Sequence, residues 1–311
     1  MKIFLDNYDG HITLKRMLPY WQKMGVSVST DPKESQVHLA NVRFSIRTSL
    51  PKALRLDSIY YDSATNYNDR NKEISTSHSK ADGIIYQSLY SKRLIESYLT
   101  PRKKDAKWSV IYNGIEPDWC GNFIPHKGIN ITIIGKHRRH KRLKEIIEIF
   151  IEFLKSYSDT NLHIFGRLHD NKEVCHSRIK YYGHVDREKM FEQLRKTDMS
   201  LHLSKRDCAP NSVVEYLSAG IPVITTNNCG GATEMCHIPG CIIVDGDGSY
   251  DDLAPVSHYG EQWNVLPDQV FKDIVNAMCL IVEDRRRVVL PDKLHIEHMA
   301  ESYVKLMKEI I

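Results

Sequence analysis

Short apolar runs alternate with helix-length amphipathic segments along the whole chain, the rhythm of βα units that build parallel sheets. In the first half, Lys2 to Asp6, Gln36 to Phe44, Leu54 to Tyr61, Gly83 to Gln87 and Trp108 to Tyr112 predict strands. A helix is expected over His11 to Met24, where Ile12, Leu14, Leu18 and Trp21 fall near one face and Pro19 predicts a kink or a break. Asn113 to Lys127 holds Asn-Gly, Pro117, Gly121 and Pro125 without apolar periodicity, and reads as a linker. The rhythm then restarts with strands at Ile129 to Ile134, Asn161 to Phe165, Ile179 to Tyr182, Met199 to Leu203, Pro222 to Thr225 and Cys241 to Val244. Helices fit between them, notably Lys141 to Ser156, Arg187 to Lys196 and Asn211 to Ala219.

This pattern predicts an α/β chain of two Rossmann-like domains, residues 1–120 and 121–290, with a last helix in 291–311 expected to pack back on the first domain. Parallel sheets place ligands at the carboxyl ends of their strands, so the chemistry is expected in a central cleft faced by both domains.

Composition narrows the class. Hydrophobic residues are 41% and charged residues 26%, ordinary for a globular fold. No stretch approaches the ~20 apolar residues that span a bilayer, and Met1 to Asp6 is too short an apolar run for a signal peptide, so a cytoplasmic location is expected. The seven cysteines are odd in number and scattered, which predicts free thiols. Cys236 and Cys241 lack a second ligand pair at zinc spacing, and no metal is expected there. The sequon Asn130-Ile131-Thr132 opens an apolar strand and reads as chance. The net charge of +4 fits a binder of phosphate-bearing ligands and, equally, a peripheral contact with an anionic membrane. No helix-turn-helix, zinc-finger or RNA-binding pattern is present, so nucleic acid is not expected as a partner.

Candidate chemistry concentrates in Lys205-Arg206-Asp207-Cys208-Ala209-Pro210-Asn211-Ser212-Val213-Val214-Glu215. A strand runs into a loop with one acid, and a helix is expected to begin near Asn211 with a second acid in its first turn. The unpaired N–H groups and positive dipole end of that turn suit a diphosphate. Ser212-Val213-Val214-Glu215 also has the form of a capping box, and the segment alone supports both readings. Upstream, Gly135-Lys136-His137-Arg138-Arg139-His140-Lys141 follows an apolar strand and enters an amphipathic helix. As composition it is a basic patch; at a strand's carboxyl end it is an anion site.

The order of these motifs resembles the retaining glycosyltransferases of family 4, whose mark is Glu, seven residues, then Glu. Asp207 and Glu215 occupy that spacing. The resemblance extends through Ala219-Gly220-Ile221-Pro222-Val223-Ile224 and Gly230-Gly231-Ala232-Thr233-Glu234, and covers about half of the chain, from Ala81 to roughly Asp247. It implies the two-Rossmann, B-type glycosyltransferase fold, with the acceptor on residues 1–120 and the nucleotide sugar on residues 121–290. It also implies that Glu215 binds the donor ribose and Asp207 lies by the transferring sugar, one methylene shorter than the usual Glu. Lys141, with either Lys136 or Arg138, is implied on the donor phosphates after Gly135. The donor set is completed by Cys208, Ala209, Pro210, Asn211 and Ser212. Tyr181-Tyr182-Gly183-His184-Val185 resembles the loop that holds the nucleobase and contributes His184. Asp9, Gly10 and His11 sit where the family has a Gly-rich turn, and are the acceptor-side candidates.

The activity so implied is transfer of a hexose, with retention, from a UDP- or GDP-linked sugar to a glycan, lipid-linked or protein-linked hydroxyl, with Asp207, Lys141 and Arg138 as the catalytic set. No cofactor or metal is expected, since Asp245-Gly246-Asp247 reads as a Gly turn in spite of its Asp-x-Asp form. The rivals on the same architecture are a sugar-nucleotide epimerase, a phosphorylase and a non-catalytic nucleotide-sugar binder.

Overall fold

The computed structural model describes residues 1–6, 12–60, 66–117, 119–169, 173–246 and 266–311. In chain order the elements are β1 (Lys2–Leu5), α1 (Ile12–Lys23), β2 (Ser27–Ser29), β3 (Val37–Asn41), β4 (Lys52–Leu56), α2 (Tyr67–His78), β5 (Gly83–Tyr86), α3 (Leu89–Tyr98), β6 (Lys107–Val110), β7 (Ile129–Ile134), α4 (Leu143–Phe153), β8 (Thr160–Phe165), β9 (Ile179–Gly183), α5 (Arg187–Leu194), β10 (Ser200–His202), α6 (Asn211–Ser218), β11 (Val223–Thr226), α7 (Gly231–Met235), β12 (Ile242–Val244), α8 (Asp268–Glu283) and α9 (Ile296–Lys308). They form two compact units, Met1–Glu116 with Asp292–Ile311, and Pro117–Pro291. No helix among the described residues is long and apolar enough to cross a membrane.

The first unit is a six-stranded parallel sheet in the order β2-β1-β3-β4-β5-β6. Its strands are near-continuous apolar runs because helices cover the sheet. Trp21, Leu14 and Met17 of α1 pack with Met299, Tyr303 and Met307 of α9, and Trp21 Nε1 donates to Ala300 O at 3.1 Å. The helix α1 runs through Pro19 without the break expected there. The strand β3 stops short of Phe44 because Val42 turns to φ 68, a conformation a β-branched residue rarely adopts. The helix α2 escapes sequence inspection because its buried positions are mostly polar: Asn71, Ser77 and His78 accompany Ile74. Gly114 is needed where the chain leaves this unit, since a Cβ there would lie 2.7 Å from His295 O and from the Ile296 Cα.

The second unit has two three-stranded parallel sheets, β9-β8-β7 and β10-β11-β12. They meet where Ile131 of β7 bridges Met199 and Thr132 N donates to Met199 O at 3.3 Å. The order therefore runs 9-8-7-10-11-12, the Rossmann order, with its switch point between β7 and β10. Ile146, Ile149, Phe150 and Phe153 of α4 share one buried core with Ile274, Met278 and Ile281 of α8 and with the strands.

Candidate functional site

At the switch point of the second unit two loops converge. The first follows β7: Gly135, a 3₁₀ turn over Arg139–Lys141, and Arg142 at φ 54. It is held from below, since His137 N donates to Arg167 O at 2.9 Å and His137 Nε2 lies 2.9 Å from Phe165 O. Its floor demands glycine: at Gly166, φ 109, an added Cβ would lie 1.8 Å from Gly135 O. The second loop follows β10 through buried Lys205 and Arg206 to Asp207, then Cys208, Ala209 and Pro210 lead into α6. Lys205 N donates to His140 O at 3.1 Å, which ties the two loops together.

The side chains that face each other across this tie are Lys141 and Asp207. Lys141 Nζ donates to Asp207 Oδ2, and His202 Nε2 stands 3.3 Å from the same oxygen. Each partner has a left-handed neighbour, Arg142 at φ 54 after Lys141 and Arg206 at φ 55 before Asp207. Such strain in buried residues persists only where the surroundings fix it, and it gathers at functional sites. The pair is 25% and 15% exposed, shielded enough to strengthen charge interactions yet reachable by a ligand. Burial opposes ionisation of Asp207, but the Lys141 charge and the His202 and Lys141 contacts outweigh it and hold the carboxyl well below the usual carboxylate range. Burial lowers the His202 pKa against the opposing pull of Asp207, with Lys141 lowering it further. Burial likewise pushes His140 down to about 3, aided by Lys141. Burial thus disfavours a charge on both rings beside the Lys141–Asp207 pair.

The helix α6 decides one open alternative and corrects one expectation. Its N-cap is Pro210, with no side-chain cap hydrogen bond, so Ser212 and Glu215 do not form the capping box. Counted from Asn211, Glu215 is in the second turn and not the first. Asn211 is exposed at the helix start, Ser212 is half-buried, and Cys208 and Pro210 are buried. Tyr216 anchors the helix: its buried hydroxyl accepts from Ile134 N at 2.5 Å, joining α6 to the end of β7. Gly231 N, opening α7, donates to Asp207 O at 2.8 Å.

Of the residues proposed from sequence, the structure brings Lys141 and Asp207 into contact, and Gly135 and Lys141 line one small cavity of about 20 Å³ with His137, His202 and Tyr216. Lys136 and Arg138 are exposed on the first loop. His184 is exposed in the turn after β9, two strands from β7. Asp9, Gly10, His11 and Asp247 lie outside the described residues. Asp245 accepts from Asn227 Nδ2 at 3.1 Å, and Gly246 N donates to Asn227 Oδ1 at 2.9 Å. Among the described residues, no three His, Cys, Asp or Glu side chains are grouped to hold a metal ion. Sequence reading missed His202 and Tyr216. Only its position at the end of β10 singled out His202, and nothing singled out Tyr216, which reads as core.

Residues 121–247 match the family model for glycosyl transferases group 1, a stretch that includes both converging loops. No curated protein sequence matches the chain. Among solved structures, the pneumococcal O-GlcNAc transferase GtfA in complex with UDP and GlcNAc is 13% identical with a TM-score of 0.62, covering 88% of this chain and 57% of that one. HepE of Anabaena in complex with UDP-glucose is 12% identical, TM-score 0.64, with 99% of both chains covered. A glycosyltransferase from Rickettsia africae is 13% identical, TM-score 0.65, covering 99% of this chain and 97% of that one. The fold is the B-type glycosyltransferase fold. The chain thus spans little more than half the length of the pneumococcal protein but nearly all of the other two.

Proposed function

We propose that the protein is a retaining glycosyltransferase that moves a hexose from a nucleoside diphosphate sugar to a hydroxyl of a glycan, lipid-linked or protein-linked acceptor, in glycan or polysaccharide synthesis. The observation that carries this reading is the Lys141–Asp207 pair at the switch point, directly before the start of α6. The neighbours with bound UDP or UDP-glucose support a UDP-linked donor over a GDP-linked one.

In this reading the diphosphate lies against the α6 N-terminus and Lys141, with Arg138 or Lys136 as the second cation. Glu215 accepts from the ribose hydroxyls and His184 stands by the nucleobase. Donor binding exchanges the partner of Lys141 from Asp207 to the phosphate, which frees the Asp207 oxygens for a hydroxyl of the transferring sugar while His202 stays beside them. The bond from the sugar's anomeric carbon to the leaving phosphate oxygen breaks. The acceptor oxygen bonds to that carbon on the same face, and its proton passes to the departing diphosphate. Lys141 and Arg138 stabilise the charge that develops there, and no metal is required.

The test is a screen of UDP-, GDP- and ADP-sugars in chelator-containing buffer, read first by thermal stabilisation and then by transfer. A donor at about 100 times its Kd adds ~2.7 kcal/mol of stability. The expected result is stabilisation by one donor class and a product with the donor's anomeric configuration. An inverted product removes the retaining mechanism, and absence of stabilisation by any donor removes the reading.

A further inference from the structure

Away from the two loops, the second unit brings a pair of thiols together. Cys236 is the C-terminal cap residue of α7 and is buried, while Cys241, just before β12, is partly exposed. The chain between them folds back through Ile238 N to Cys236 O at 2.8 Å and Cys241 N to Ile238 O at 3.3 Å. Gly240 closes this turn at φ 96, where a Cβ would lie 2.6 Å from Arg287 O. Cys241 Sγ accepts from Val223 N at 3.4 Å and is hydrogen-bonded to the Cys236 thiol.

We propose that Cys241 and Cys236 form a reactive thiol pair, a modification site for low-molecular-weight disulfides, in which Cys241 is the entry thiol and Cys236 the resolving thiol. Access assigns the roles, because only Cys241 is open enough to meet a reagent. The Cys236 hydrogen bond, aided by the Val223 amide and opposed by burial, holds Cys241 below the ordinary thiol pKa and so raises its thiolate fraction at neutral pH. The Cys241 thiolate attacks one sulfur of the reagent disulfide, the reagent's S–S bond breaks, and one thiolate leaves and takes up a proton. Cys236 then loses its proton to solvent and attacks Cys241 Sγ, expelling the second reagent thiolate. Two protein thiols are oxidised to one disulfide and one reagent disulfide is reduced to two thiols. At the other end of α7, Gly231 N is bonded to Asp207 O, so the new bond would form one short helix away from the converging loops.

The experiment treats the reduced full chain with glutathione disulfide at neutral pH, traps remaining thiols by alkylation and maps the peptides by mass. The expected result is a Cys236–Cys241 disulfide in the parent. Cys236→Ser, which keeps a hydrogen-bond donor, should instead retain glutathione on Cys241, roughly tenfold more than the parent does. Exposed Cys175 serves as the internal control for reagent activity. The proposal is overturned if Cys175 carries glutathione while Cys236 and Cys241 of the parent are both recovered alkylated. Should Cys236→Ser fail to fold, the parent map alone decides, and neither measurement depends on glycosyl transfer.

Discussion

Asp6 and Asp207 both lie beside the switch point of their unit's sheet, and their surroundings differ in one decisive respect. Asp6 follows β1, where β2 and β3 lie on either side, and Asp207 follows β10. A buried histidine approaches each carboxylate, His38 Nε2 at 3.1 Å from Asp6 Oδ2 and His202 Nε2 at 3.3 Å from Asp207 Oδ2. Both carboxyls are held below the usual range against the cost of burial. For Asp6 the compensation comes from Ser45 N and Ser45 Oγ, both at 2.7 Å, with the His38 contact, and Ile46 N adds a longer bond at 3.4 Å. For Asp207 it comes first from the ammonium of Lys141. Backbone and hydroxyl donors folded around a carboxylate make a structural tie, because none can leave without unmaking the loop. An ammonium on a flexible stem can change partners, and an anion of higher charge displaces a single carboxylate. The comparison makes the first unit's buried acid a structural tie and is consistent with the proposed exchange of partners at the second unit's.

The largest expected effect is on chemistry. Lys141→Met should lower turnover about 10²- to 10³-fold, the usual loss when a group stabilising transition-state charge is removed, measured as initial rate at saturating donor. A loss below tenfold would take Lys141 out of the catalytic set. Next, Asp6→Ala should destabilise the fold by about 1 to 3 kcal/mol, since it removes the acceptor of Ser45 and leaves the buried His38 ring without its carboxylate partner. Asp207→Asn should cost less than Asp6→Ala in the same denaturant titration, since the amide oxygen can still accept from Lys141 and the Lys141 stem is partly open to solvent. The reverse order would break the comparison.

Acid sharpens it further. Burial is the main cause that pushes His163 down to about 4 and His140 to about 3, so the folded chain refuses protons that the unfolded chain accepts below its ordinary histidine pKa. Their contribution to stability is complete above about pH 6.5 and is lost as pH falls toward those lower values, at about 1.4 kcal/mol per pH unit for each ring. Denaturation at pH 7.5 and pH 5 measures the slope. His163→Gln should flatten it by one ring's share, whereas Asp6, ionised through this window, should leave it unchanged.

Glu215→Gln should weaken nucleotide binding roughly tenfold to a hundredfold, or about 1.5 to 3 kcal/mol. Affinity within about twofold of the parent would exclude the ribose contact. The smallest effect has the most informative sign. Asp207→Asn removes the resident partner of Lys141, so affinity for a nucleoside diphosphate without sugar should rise roughly threefold, while turnover falls. Weaker binding by the same variant would mean that Asp207 and the diphosphate do not compete for Lys141.

Hydrophobic patterning by itself determined most of the α/β frame. The runs at Ile129–Ile134 and Thr160–Phe165 are buried strands whose apolar residues leave few alternatives, and α4 carries a clear apolar face. It did not reveal α2, whose buried side chains are polar, nor the continuity of α1 through Pro19. The resemblance of the motif order to a known family selected Asp207, Glu215 and Lys141, and it was legible because a strand end followed by a helix start is a local feature. What only the tertiary structure decided is which of these groups touch. Lys141 and Asp207 are 66 positions apart and meet because β7 and β10 are neighbours in the sheet, a pairing that no local pattern encodes. The path of the β10–α6 loop likewise made Pro210 and not Ser212 the cap of α6 and folded Asp207 back beside His202.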